Sequence, residues 1–93
     1  MNNNGYTGQL IGPFNANEEL YDKIVAAAAQ PIDCVSHIGI QTDVRNYIYI
    51  NNKEYEIGKT GIYEIGNTEI TSIYFSQNVD ENTIIDYTIK INN

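Results

Sequence analysis

Beyond Val35 the apolar side chains of this chain recur at every second position, and that period narrows the fold more than any other feature. Ser36-His37-Ile38-Gly39-Ile40-Gln41, Asn46-Tyr47-Ile48-Tyr49-Ile50 and Lys53-Glu54-Tyr55-Glu56-Ile57 all alternate. In the stretch 83–91, Ile85, Tyr87, Ile89 and Ile91 share one face, while Asp86, Thr88 and Lys90 share the other. A repeat of two belongs to the strand, where successive side chains point to opposite faces of a pleated backbone. The composition agrees. Isoleucine and tyrosine carry most of the apolar content, Trp is absent, and Phe occurs only at Phe14 and Phe75. β-Branched and aromatic side chains suit a sheet better than a helix.

Turn formers divide these stretches. Asn51-Asn52 sits between two alternating runs and predicts a two-residue hairpin with positive φ. Gly58-Lys59-Thr60-Gly61 reads as a second turn, Ile62-Tyr63-Glu64-Ile65 as a short strand and Gly66-Asn67 as a third turn. Residues 69–76 alternate again, with Ile70, Ser72 and Tyr74 opposite Thr71, Ile73 and Phe75, before a polar loop over 77–82. Five or six short antiparallel strands with a turn roughly every eight to twelve residues predict a mainly β fold, a small sandwich or open barrel.

The N-terminal third reads differently. Asn15, with Glu18 three residues later, forms a capping-box pattern, and Leu20, Tyr21, Ile24, Val25 and Ala28 recur at helical spacing up to Pro31. One helix is therefore expected over about 15–30. Its thin alanine run, 26–29, requires it to lie close against a flat surface. Residues 1–14 are rich in Asn and Gly and are expected to form an extended arm, leaving 15–93 as a single β-rich domain with its strands within 35–91. Tyr6, Leu10 and Ile11 are the arm's candidate anchors, and the arm is expected to order on a neighbouring subunit.

Groups capable of chemistry are few. His37 and Cys34 are the only residues of their kinds and stand three apart, which in a strand turns them to opposite faces and prevents a Cys-His nucleophile pair. One Cys and one His do not make a closed zinc site. Asn78-Val79-Asp80-Glu81-Asn82 lacks the length and glycine of a calcium loop, and reads as a solvated turn. Gly58-Lys59-Thr60 resembles the end of a phosphate loop, but the upstream glycine is missing and a strand follows instead of a helix. Glu54 and Glu56 share a strand face and read as hydrated. No catalytic residue, metal or cofactor is expected. Tyr47 and Tyr49 lie opposite Ile48 and Ile50, so if the isoleucines face the core the two tyrosines face out, as at protein interfaces and sugar-binding platforms.

Twelve acidic against five basic residues give a net charge of −7, which disfavours nucleic acid and supplies no polybasic patch for lipid. Met1-Asn2-Asn3-Asn4-Gly5 has neither the basic nor the apolar region of a secretory signal, and the apolar run 24–29 is too short to span a bilayer. A chain made in a cytoplasm, with no disulfide, is the expectation.

The stretch Ile38-Gly39-Ile40-Gln41, the stretch from Ile50-Asn51-Asn52-Lys53 through Gly61-Ile62-Tyr63-Glu64, and the later Ile70-Thr71-Ser72-Ile73-Tyr74-Phe75 and Ile84-Ile85-Asp86-Tyr87 resemble a segment of small virion proteins from phages and prophages of low-GC Gram-positive bacteria. The resemblance covers roughly residues 37–88 and rests on turn-and-strand patterns. It implies a structural component of a phage particle: a capsid decoration, or a tail or baseplate accessory. Such a component would be synthesised in the bacterial host cytoplasm and located in the virion. Its partners would be other virion proteins and copies of itself, with no nucleic acid, membrane or small-molecule substrate. It assigns no functional residues. The alternative from the residues is a stand-alone carbohydrate- or peptide-binding β-sandwich with Tyr47 and Tyr49 as its platform.

Overall fold

The computed structural model describes residues 5–43, 45–57 and 62–91. Residues 2–4 and the turn expected at 58–61, with its Gly-Lys-Thr, lie outside the described residues. The elements in chain order are β1 (Gly5–Ile11), α1 (Leu20–Ala28), β2 (Ile32–Gln41), β3 (Asn46–Ile50), β4 (Lys53–Ile57), β5 (Ile62–Ile70), β6 (Ile73–Phe75) and β7 (Ile84–Ile91). They form two antiparallel sheets, one ordered β1-β7-β2-β5 and the other β4-β3-β6. The arrangement is the mainly β, sandwich-like one that the alternation predicts, and it does not close into a barrel.

The core lies between the sheets. Val35, Ile38 and Ile40 of β2 and Ile85, Ile89 and Ile91 of β7 meet Ile48 and Ile50 of β3, Ile57 of β4, and Ile73 and Phe75 of β6. In β7 the buried positions are 85, 87, 89 and 91 and in β3 they are 46, 48 and 50, the faces that the period-two reading assigns. Leu20 and Ile24 of α1 are fully buried in the same cluster, and the Phe14 ring stacks on Phe75 at 6.3 Å. Each fully buried aliphatic side chain is worth about 1.5–3 kcal/mol relative to exposure, so this shared cluster is the main source of stability.

Several boundaries differ from expectation: β2 begins at Ile32 and the helix ends at Ala28, and three further differences have a local reason. The helix begins at Leu20, not Asn15. Asn17 has φ 64°, which breaks the helical run, and residues 15–18 form a turn in which the Glu18 carboxylate accepts from the Asn15 N–H at 3.0 Å. Glu19 caps the helix instead, accepting from the Tyr21 N–H at 3.2 Å, and the same carboxylate accepts from Ser72 Oγ and the Ile73 N–H, both at 2.6 Å. The helix start is thus fixed by the strand it packs on. Gly66-Asn67 is not a turn: β5 runs through it. The glycine serves a close approach, since a Cβ there would sit 3.0 Å from the His37 ring. The chain breaks at Thr71-Ser72, where it crosses from one sheet to the other.

Residues 5–11, expected as an arm that orders on a neighbour, form strand β1 on the same chain. They pair antiparallel with β7 from Gly5↔Lys90 to Ile11↔Ile84. The reason lies in Gly8. The Tyr87 ring occupies the space where a Cβ of residue 8 would be, so the small residue that reads as a loop former is what lets the strand lie under a buried tyrosine. Leu10 then packs against the core.

Candidate interaction surfaces

The outer face of the three-stranded sheet carries Tyr47 and Tyr49, as the alternation of β3 requires. Tyr49 faces Glu54 of β4 on one side and Tyr74 of β6 on the other, and Tyr47 faces Glu56. The Tyr49 and Tyr74 rings lie 5.1 Å apart, within 7° of parallel. That separation is close to the spacing of adjacent strands, so the rings stand up from the sheet and stack on one another. The Tyr49 hydroxyl donates to Glu54 Oε2 at 2.6 Å, and this bond, reinforced by desolvation, holds the phenol above its ordinary pKa. Arg45 Nε lies 3.6 Å from Glu56 Oε2 in an exposed pair. A sugar platform needs free ring faces. Tyr49 has one face taken by Tyr74, whereas Tyr47 stands outside the stack and remains 38% exposed. Tyr74 was visible as a strand tyrosine, but its pairing with Tyr49 depends on a long-range register that alternation does not encode.

The second surface is the outer edge of β1. Among the described residues only β7 pairs with this strand, so its other edge is free. Tyr6 is 54% exposed and Ile11 59% exposed, the two most exposed large apolar side chains described, and Leu10 is half-buried between them. The strand Gly-Tyr-Thr-Gly-Gln-Leu-Ile carries no charge. The direction of its amides follows from two hydrogen bonds. Gly12 N–H, continuing the register, donates to the Thr83 carbonyl at 2.8 Å, so even-numbered residues turn their backbone groups toward β7. Consistently, the Thr88 carbonyl points the other way, accepting from Ser36 Oγ of β2 at 3.2 Å. The N–H and C=O groups of Gly5, Thr7, Gln9 and Ile11 therefore face outward from the sheet.

The two residues with the most reactive side chains, Cys34 and His37, both lie on β2. Cys34 is buried, and its thiol is pushed above the ordinary pKa by desolvation, then by Asp33 and Glu69, which leaves it protonated and unreactive. His37 does not face away from Cys34 as the three-residue spacing predicts. The register of β2 shifts between Val35 and His37, so Cys34 pairs with Lys90 and His37 with Thr88 on one face of β7, and His37 Nε2 lies 3.1 Å from Glu64 Oε1. Asp33, Cys34 and Glu69 bring potential ligand atoms within 4.8 Å of one another, a grouping created by the pairing of β2 with β5 and invisible in the sequence. Lys90 Nζ stands 3.8 Å from Asp33, which further disfavours a cation there. Asp80 uses its carboxylate to close its own turn, accepting from the Asn82 N–H at 3.0 Å. Comparison with protein-family models, curated proteins and solved structures finds no match to this chain.

Proposed function

We propose that this chain is a non-enzymatic structural module that works by protein–protein contact in a symmetric assembly, with the free edge of β1 as its contact element, and that the assembly is a bacteriophage particle. The edge carries the first part. A row of unsatisfied backbone groups on an uncharged strand is a template for another strand, and proteins that do not use such an edge protect it with charge, proline, a bulge or a cover. Tyr6 and Ile11 add apolar area beside that row. The particle is supported by the resemblance of residues 37–88 to small virion proteins; the chain's partners are then other virion proteins and further copies of itself. The carbohydrate- or peptide-binding alternative rests on Tyr47 and is the weaker reading, because the stacked faces of Tyr49 and Tyr74 are turned on each other.

The test uses particles induced from a lysogen that carries the gene, purified on a density gradient and digested for mass spectrometry. The chain is expected in the particles at a level comparable with the other structural proteins. Its absence from otherwise complete particles would overturn the assignment to the virion.

A further inference from the structure

We infer that the partner of the β1 edge is β1 of a second copy, paired antiparallel about a twofold axis at Gly8, so that two four-stranded sheets become one continuous sheet of eight. This rests on the reading of β1 as the contact element and names what it contacts.

The free edges of the two sheets are not equivalent. β4 presents Lys53, Glu54 and Glu56, β5 carries Glu64 and Glu69 and is irregular in its pairing with β2, and β6 is three residues long. Each has a feature that discourages strand addition. β1 has seven residues with no charge, no proline and no register shift against β7. Charge singles out the occupant. Two copies of a chain of net charge −7 repel one another, and the uncharged β1 lets them pair without opposing like charges in the strand contact.

Geometry then fixes the register. Outward amides belong to the odd-numbered residues, so an antiparallel twofold pair must match odd with odd. Among such registers, the one centred on Gly8 alone overlaps the whole of Gly5–Ile11. It sets Gly5 against Ile11, Tyr6 against Leu10 and Thr7 against Gln9 of the second copy, each in both directions. Tyr6 and Leu10 then form an apolar cross-strand pair on the inner face. Ile11, exposed in the single chain, lies across from a glycine that leaves room for it. Gly8 meets Gly8 at the axis, with the Tyr87 ring of each chain already filling the side-chain space above its own glycine.

The experiment is sedimentation equilibrium on the purified full chain, from micromolar to millimolar concentration, with amide hydrogen exchange followed by NMR at both ends of that range. A monomer–dimer equilibrium is expected, with the Thr7, Gln9 and Ile11 amides slowing as concentration rises while Gly8 and Leu10 are protected throughout. Gln9→Pro removes an outward N–H that makes no bond to β7 and should abolish the dimer with the circular dichroism of the fold unchanged. Two double variants read the register without relying on proline. Thr7→Lys with Gln9→Lys places like charges opposite each other twice and should weaken the dimer about tenfold, whereas Thr7→Asp with Gln9→Lys places opposite charges there and should keep it. In both, Gln9→Lys still offers a donor to Asp86. A chain that stays monomeric at millimolar concentration with those amides exchanging freely, or double variants that behave alike, would overturn the inference. Neither result touches the presence of the chain in particles, which the mass spectrometry decides separately.

Discussion

Asn51 and Asn52 form the two-residue turn between β3 and β4, with φ 52° and 67°, both in the left-handed region that glycine adopts without penalty. By backbone preference alone, Asn→Gly should be neutral or slightly favourable at either position. The structure separates them. The Asn51 side chain donates through Nδ2 to the Glu69 carbonyl at 2.8 Å and accepts through Oδ1 from the Thr71 N–H at 2.9 Å, tying the hairpin tip to the crossing from β5 to β6. Asn52 accepts only a long 3.4 Å bond from the Tyr74 hydroxyl. Two net hydrogen bonds at about 0.5–1.5 kcal/mol each, reduced for their exposure and offset by the easier backbone, leave a loss of about 1 kcal/mol for Asn51→Gly. Asn52→Gly should stay within a few tenths of a kcal/mol of the parent. Asn51→Asp, which keeps the acceptor and loses the donor, should fall between. Urea unfolding at constant m-value measures all three, and about 1 kcal/mol corresponds to a melting shift of roughly 4–8 °C in a domain of this size. If the two glycine variants agreed within error, the Asn51 side chain would contribute nothing and the turn would be a purely local device.

Three further outcomes are expected. Ala29, at φ 58° where the helix ends, adopts a conformation that costs a side chain, so Ala29→Gly should stabilise the fold by about 0.5–1 kcal/mol in the same unfolding assay. The Tyr49 phenol is held protonated by its bond to Glu54, so a spectroscopic titration should show it ionising above the ordinary tyrosine range, with Glu54→Gln bringing it down. Since its folded pKa is the raised one, its contribution to stability is present below the unfolded value and is lost as pH rises through the folded one. Deleting residues 2–11 should destabilise the chain by about 3 kcal/mol or more, since it strips the β7 ladder and uncovers Leu10's neighbours and the Tyr87 ring; a melting curve unchanged by the deletion would mean that β1 does not dock on its own chain.

Where local pattern and tertiary demand agree, the fold was legible. The alternation in β7 and β3 names their buried faces correctly, and Asn51-Asn52 names its turn, because both signals depend on neighbours within a few residues. The errors arise where a small or polar residue serves a distant partner. Gly66 reads as a turn former but makes room for His37, and Gly8 reads as a loop former but makes room for Tyr87. Glu18 completes a capping box in the sequence, yet Glu19 caps the helix because its carboxylate also holds the Ser72 hydroxyl and the Ile73 N–H. In each case one residue type answers two different needs, and only the pairing of strands far apart in the chain decides between them. The candidate surfaces follow the same division: Tyr47 and Tyr49 face outward as their parity demands, whereas the stack with Tyr74 and the free edge of β1 exist only once the register is set.

That free edge also explains why the first strand could be read as an arm at all. A segment with two glycines and no charge offers little to a local pattern, and its exposed Tyr6 and Ile11 look like anchors without a host. On β7 it gains the host for half of its backbone groups, those of the even-numbered residues, while the odd-numbered half remains turned outward. The absence of charge that leaves a local pattern little to read is also what leaves the outer edge of the strand open to a second one. Introducing a single charge at Thr7 would have closed the edge without breaking a described bond to β7, whereas Gln9 donates to Asp86 of β7 at 2.9 Å. The chain has acidic residues to spare, yet none stands there. An acidic side chain at Thr7 would protect this edge, and the uncharged strand is therefore the feature on which the proposed assembly rests.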